Sequence, residues 1–96
     1  MAEYRLTRRA DKDLLAIYLY TVERFGQEQA ERYTRDIKEC FELLASNPNM
    51  GRAADDIRKG VRRHEHAGHV IFFREDRQGL LVLAVVHRRM RPDLSL

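Results

Sequence analysis

Residues 70–90 read VIFFREDRQGLLVLAVVHRRM, and this stretch decides how the rest of the chain is assigned. Two apolar runs, 70–73 and 80–86, flank a charged loop of five residues followed by Gly79. Runs rich in Val, Ile, Leu and Phe around a short Gly-containing loop signal a β-hairpin. The second run is apolar at seven successive positions. A strand with one wet face alternates apolar and polar residues, so this one is expected to be covered on both faces or to lie at the sheet's centre. Immediately after it, 87–91 is a burst of positive charge.

Working outward, residues 61–66 form a strand of poor apolar content, suited to a sheet edge. Ala67-Gly68 supplies a two-residue turn, and residues 69–74 pair back, giving a three-stranded meander with 80–87. The alternating segment 3–6 places Tyr4 and Leu6 on one side, and it is the remaining strand able to flank the 80–86 run. Thr7 is an N-cap for a first helix whose stripe is Ala10, Leu14, Ile17, Thr21 and Phe25. Gly26 ends it where a positive φ is inexpensive. Residues 27–45 form a second helix with the stripe Ala30, Tyr33, Ile37, Cys40, Phe41 and Leu44, ended by Asn47-Pro48. The turn between the helices is tight, so they form an antiparallel hairpin. Residues 49–60 read as an ordered loop crossing to the sheet. The order is β-α-α-β-β-β, an α+β domain with a helical hairpin packed on one face of a small, mainly antiparallel sheet.

The chain has 96 residues, 44% of them hydrophobic, which suits one domain with one core. No apolar run approaches a membrane span of about 18 residues, and the start MAEYRLTRR has no apolar signal core. The expectation is a cytoplasmic protein with no membrane contact. Cys40, the single cysteine, reads as a buried small hydrophobe. Residues 1–50 carry eight Lys or Arg against nine Asp or Glu, and residues 51–96 carry ten against six. The basic excess therefore belongs to the sheet half, and it favours an acidic partner surface.

The first helix has more apolar surface than one sheet contact needs. Leu15, Leu19 and Val22 lie beside the main stripe. Either the second helix covers them, or they form a groove for an amphipathic helix of another protein.

Several short pieces, in this order and spacing, resemble the toxin component of ParDE-type toxin–antitoxin modules within the RelE/ParE superfamily. They are Tyr4-Arg5-Leu6-Thr7 with Ala10 and Asp13-Leu14; Phe25-Gly26 with Gln29-Ala30 and Tyr33; Pro48 with Gly51-Arg52; Gly60-Val61-Arg62; His69-Val70-Ile71-Phe72-Phe73; and Val86-His87-Arg88-Arg89-Met90. The resemblance implies a cytoplasmic toxin silenced by a cognate ParD-like antitoxin, inhibiting DNA gyrase and so replication. The RelE branch shares the fold but cuts messenger RNA on the ribosome, so fold alone does not choose between them.

Cutting RNA through its 2′-OH needs a base, an acid and cations. Cations abound, and Arg88 falls where RelE-type nucleases place an important arginine. The C-terminal aromatic expected as base in those nucleases is absent from 91–96, and Lys59 lacks a lysine partner. His87 is the candidate substitute base, with Arg62 and Arg88 as its cations. Of the four histidines, His64 and His66 share a strand face, but no Cys or carboxylate with a metal-ligand spacing accompanies them. His69 and His87 resemble family positions that pair polar groups at strand ends.

The leading reading is thus a protein-binding toxin with no catalytic residue, metal or cofactor, and no direct nucleic-acid contact of its own. His87, Arg88, Arg89, Arg91 and Arg62 are expected to meet gyrase, and Leu15, Leu19 and Val22 to meet the antitoxin. The ribosome-dependent endoribonuclease is the alternative. An inactive member that retains only antitoxin binding is a third.

Overall fold

The apolar run becomes a central strand. In the computed structural model, which describes residues 3–89, the elements follow as β1 (Tyr4–Leu6), α1 (Arg8–Phe25), α2 (Gln27–Ser46), a 3-10 turn (Pro48–Met50), β2 (Arg52–Ala53), β3 (Arg62–His66), β4 (His69–Asp76) and β5 (Gly79–His87). The five strands form one sheet in the order β1-β5-β4-β3-β2. β1 pairs parallel with β5, from Tyr4 opposite Leu80 to Leu6 opposite Val82, and the other pairs are antiparallel. The α+β class, the helical hairpin and the flanking of β5 by the N-terminal strand are as the sequence led us to expect.

β5 is apolar throughout because both of its faces are covered. Leu80, Val82 and Val85 join Ile71 and Phe73 under the helices, against Ala10, Leu14, Ile37, Cys40, Phe41 and Leu44. Leu83, Ala84 and Val86 join Val70 and Phe72 on the other face, against Ala54, Val61 and Ile57. The switch of face is made by a bulge. Phe72 lies opposite Ala84 and Phe73 opposite Val82, so Leu83 is an extra residue and shares a face with Ala84. Phe41, Phe72 and Phe73 are fully buried, each side chain contributing roughly 1.5–3 kcal/mol of transfer free energy. Residues 54–61 act as the cover of the second face. They fold back through Ala54 N–H to Val61 C=O and Val61 N–H to Arg58 C=O, with Gly60 N–H donating to Asp55 Oδ1.

Two features of the sheet differ from expectation. The hairpin between β4 and β5 has a two-residue turn, Arg77-Gln78, because the charged residues 74–76 continue the ladder to Asp76 opposite Gly79. Asp76 stabilises that turn by accepting from Gln78 N–H, and it also accepts the Arg5 guanidinium on both oxygens. Gly79 is required there, at φ 115°, since a Cβ would stand 2.7 Å from the Glu3 carbonyl oxygen. Second, the crossing loop contains the strand β2. Two residues are too few to alternate, and their pairing is set by tertiary contacts. Gly51 packs against the Phe73 ring, and Arg62 donates to the Gly51 carbonyl at 2.6 Å.

Helix α1 begins as expected: Thr7 Oγ1 accepts from Ala10 N–H at 3.0 Å. Gly26, at φ 91°, separates the helices. The stripe on α1 is shorter than the sequence suggested, since Phe25 at its last turn is 68% exposed. Leu15 and Leu19 are 58% and 57% exposed, so α2 does not cover them.

Where β1 ends, α1 takes over the edge of β5. Thr7 N–H donates to Val82 C=O, Thr7 Oγ1 donates to Leu83 C=O, and Val85 N–H donates to Asp13 Oδ2 at 2.9 Å. Arg9 Nε, at 3.1 Å from both oxygens, holds that carboxylate in place. Asp13→Ala would leave Val85 N–H without its partner, and we expect it to lower the unfolding free energy by about 1–3 kcal/mol, with Asp13→Asn recovering part of the loss. Denaturant midpoints measure this, and an unchanged midpoint in Asp13→Ala would show that the bond is dispensable.

Candidate protein-binding site

The unequal lengths of β1 and β5 leave a depression between α1 and the C-terminal half of β5. It is an open groove of about 700 Å³, with Ile17 and Val85 among its lining residues, Ala16, Tyr20 and Phe25 along α1, and Tyr33, His69 and His87 at one end. Arg9 and Asp13 lie at its α1 side.

The surface continues out of the groove. Ala16 is one helical turn from both Leu19 and Tyr20, and Leu19 is one turn from Leu15 and Val22. Leu15, Ala16, Leu19 and Tyr20 are all exposed and Val22 is half-buried, so one apolar swath runs from the outer side of α1 into the groove. The three residues expected to meet an antitoxin form its outer part.

The groove ends at a row of histidines. His66 lies opposite His69 across the β3–β4 ladder, and His69 lies opposite His87 across the β4–β5 ladder. Directly paired residues share a sheet face, and Tyr33 of α2 stands over this one. Tyr33 Oη is 2.6 Å from His69 Nδ1, and the His69 and His87 rings meet edge to face at 5.7 Å. The Tyr33 ring also lies 5.9 Å from that of His66. Burial depresses the His69 pKa below 6.5, and the neighbouring His87 and then His66 depress it further. Burial, followed by the nearby Asp36 carboxylate, raises the Tyr33 pKa above 10.

The basic exit does not continue β5 as an extended chain. The strand stops at His87, and Arg88 and Arg89 enter a turn. Arg88 N–H donates to Gly68 C=O at 2.9 Å and Arg89 N–H to His87 Nδ1 at 3.2 Å, which bends the backbone and removes the alternation of faces. His87, Arg88 and Arg89 are exposed together. Arg91 lies outside the described residues. Arg62 is not part of this cluster. It sits four residues along β3 from His66, roughly 13 Å at about 3.3 Å per residue, and is engaged with Gly51. The structure thus does not assemble Arg62, Arg88 and His87 as a nuclease trio. Among the described residues no set of three or more His, Cys, Asp or Glu side chains is arranged to hold a metal ion. Nor is any described helix long and apolar enough to cross a membrane.

The sequence pointed to a groove beside Leu15, Leu19 and Val22 and to a polar partner for His69, but not to the space between α1 and β5 or to Tyr33 as that partner. Tyr33 and His69 are 36 residues apart, and nothing in either segment signals the other.

The fold is a helical hairpin on a mixed five-stranded sheet, with an exposed apolar helix face and a basic strand exit. Residues 4–92 match the family described as "ParE toxin of type II toxin-antitoxin system, parDE". The chain is 38% identical over 96 residues to a Toxin ParE1 of Caulobacter vibrioides, covering 100% of this chain and 99% of the relative. It is 36% identical to a Toxin ParE1 of Mycobacterium tuberculosis, covering 99% and 98%. A solved structure described as "Chromosomal ParDE TA system from P. aeruginosa" superposes with a TM-score of 0.75 at 29% identity, covering 91% of this chain and 96% of that one. The chain belongs to the ParE toxin family.

Because the folded-state pKa of His69 lies below its unfolded value, the unfolded chain binds the proton more readily. Stability from this group is present above about pH 6.5 and is lost as the pH falls from there towards the folded value. We expect the thermal midpoint to drop between about pH 7.5 and 5.5, and to drop less in His69→Gln. Equal drops in the two proteins would remove His69 as the cause.

Proposed function

We propose that this chain inhibits DNA gyrase in the cytoplasm by binding it, without catalysis of its own, and that a ParD-like antitoxin neutralises it by covering α1. The observation that carries the reading is the pairing, on one small ParE-family domain, of an exposed apolar helix face with an adjoining basic strand end. The antitoxin would lay an amphipathic segment over Leu15, Leu19 and Val22 and into the groove. An apolar surface of this kind is a usual seat for a helix that presents residues at three- and four-residue spacing. The P. aeruginosa neighbour, described as a ParDE system, supports a partner of that type.

His87, Arg88 and Arg89, joined in sequence by Arg91, would contact the target. Arginines at a rigid strand end suit bidentate contact with carboxylates. Arg62 is bound to the Gly51 carbonyl and lies away from this cluster, so it is left to a structural role. The separation of Arg62 from His87 also speaks against the ribonuclease alternative.

A supercoiling assay with purified gyrase, run beside a toeprint on translating ribosomes, tests the target. We expect supercoiling to fail and messages to stay intact; cleavage with normal supercoiling would overturn the reading. Arg88→Ala with Arg89→Ala is expected to leave a folded protein that binds antitoxin, with gyrase inhibition reduced at least about tenfold, equivalent to about 1.4 kcal/mol. Full inhibition by this variant would place the target surface elsewhere. Leu19→Asp is expected to fold, because the side chain is largely exposed. It is expected to weaken antitoxin binding by roughly 2–4 kcal/mol, measured by calorimetry, because a charge is buried without a partner.

A further inference from the structure

We infer that the histidine end of the groove receives a carboxylate of the docked antitoxin, so that docking there takes up protons. The inference rests on the antitoxin reading above and adds the chemistry of one contact. His69 and His87 line the groove directly, and His66 extends the row across β3. Arg88 and Arg89 follow His87 at the groove's mouth. This end is therefore rich in cationic and potentially cationic groups.

Among the described residues nothing neutralises it. From α1, Asp13 is taken up by Arg9 and by Val85 N–H. From α2, Tyr33 faces the row with a neutral hydroxyl, Gln29 is uncharged, and Asp36 bears on Tyr33. On β3, Glu65 alternates to the opposite face and lies 3.8 Å from Arg52. No described carboxylate is hydrogen-bonded to any imidazole of the row. We assign the acidic complement to the occupant of the groove.

A carboxylate there favours the protonated His69 ring, which burial and then the neighbouring His87 disfavour in the free toxin. The His69 pKa then rises on binding, so affinity is greatest at acidic pH and falls as the pH rises. His87 belongs to the basic exit as well, so an antitoxin that engages it also blocks the surface proposed to meet gyrase.

The test is titration calorimetry of the full chain with its cognate ParD-like antitoxin, in buffers of different ionisation enthalpy. We expect net proton uptake, and a dissociation constant at least about tenfold tighter at about pH 6 than at about pH 8. His87→Gln, at an exposed position, is expected to reduce both. Tight binding with no proton exchange, or with proton release, overturns this inference and leaves the antitoxin reading intact. So does a pH dependence that His87→Gln and His69→Gln leave unchanged. Failure of the folded chain to bind antitoxin at any pH overturns the antitoxin reading, and this inference with it.

Discussion

The backbone edge of β5 has to be satisfied after β1 stops at Leu6, and α1 does this with two side chains. Thr7 donates its hydroxyl to Leu83 C=O, and Asp13 accepts from Val85 N–H. A longer β1 would have completed the ladder and filled the space beside it. Using a helix instead of a strand keeps α1 beside the sheet edge and leaves the groove open between them. The Arg9–Asp13 pair that holds this arrangement is partly exposed, so its Coulombic contribution is small. Its importance lies in the buried amide it satisfies, since an unpaired backbone N–H is the more costly fault.

The bulge at Leu83 serves the same end from the other direction. It lets one continuous apolar strand feed two separate clusters, one under the helices and one under the 54–61 cover. With both faces of β5 committed to the core, most of the large apolar residues left without cover among the described residues are on α1, at Leu15, Leu19, Tyr20 and Phe25; Leu43 on α2 and Met50 in the 3-10 turn are the others. The candidate interaction surface is therefore a helix face beside a sheet edge, and the histidine row marks where that surface meets the basic exit. The surfaces proposed for antitoxin and for target are brought next to each other by the register that puts His69 opposite His87.

Much of this was legible beforehand, and for local reasons. The N-cap at Thr7, the break at Gly26 and the helix end before Pro48 depend on side-chain and backbone properties within a few residues. The central place of β5 followed from seven apolar positions that no half-wet strand tolerates. The exposed face of α1 was visible as an excess of apolar residues, although the sequence left open whether α2 would cover it. The hairpin hides Val22 in part and leaves Leu15 and Leu19 to solvent, a matter of helix rotation that periodicity does not set.

The sequence by itself determined the order of the two helices and of the four strands other than β2, the α+β class and the polarity of each half, because these depend on composition and on repeats of two and 3.6 residues. Tertiary structure alone decided the two-residue β2, the separation of Arg62 from His87, the turn at Arg88 and the meeting of Tyr33 with His69. Each of these rests on a contact between distant segments: Gly51 against Phe73, Arg62 on a loop carbonyl, Arg88 N–H on Gly68, a tyrosine over a strand end. Such contacts have no period and no neighbouring signal. They arise when the hairpin and the sheet close on each other, and the candidate site is made of them.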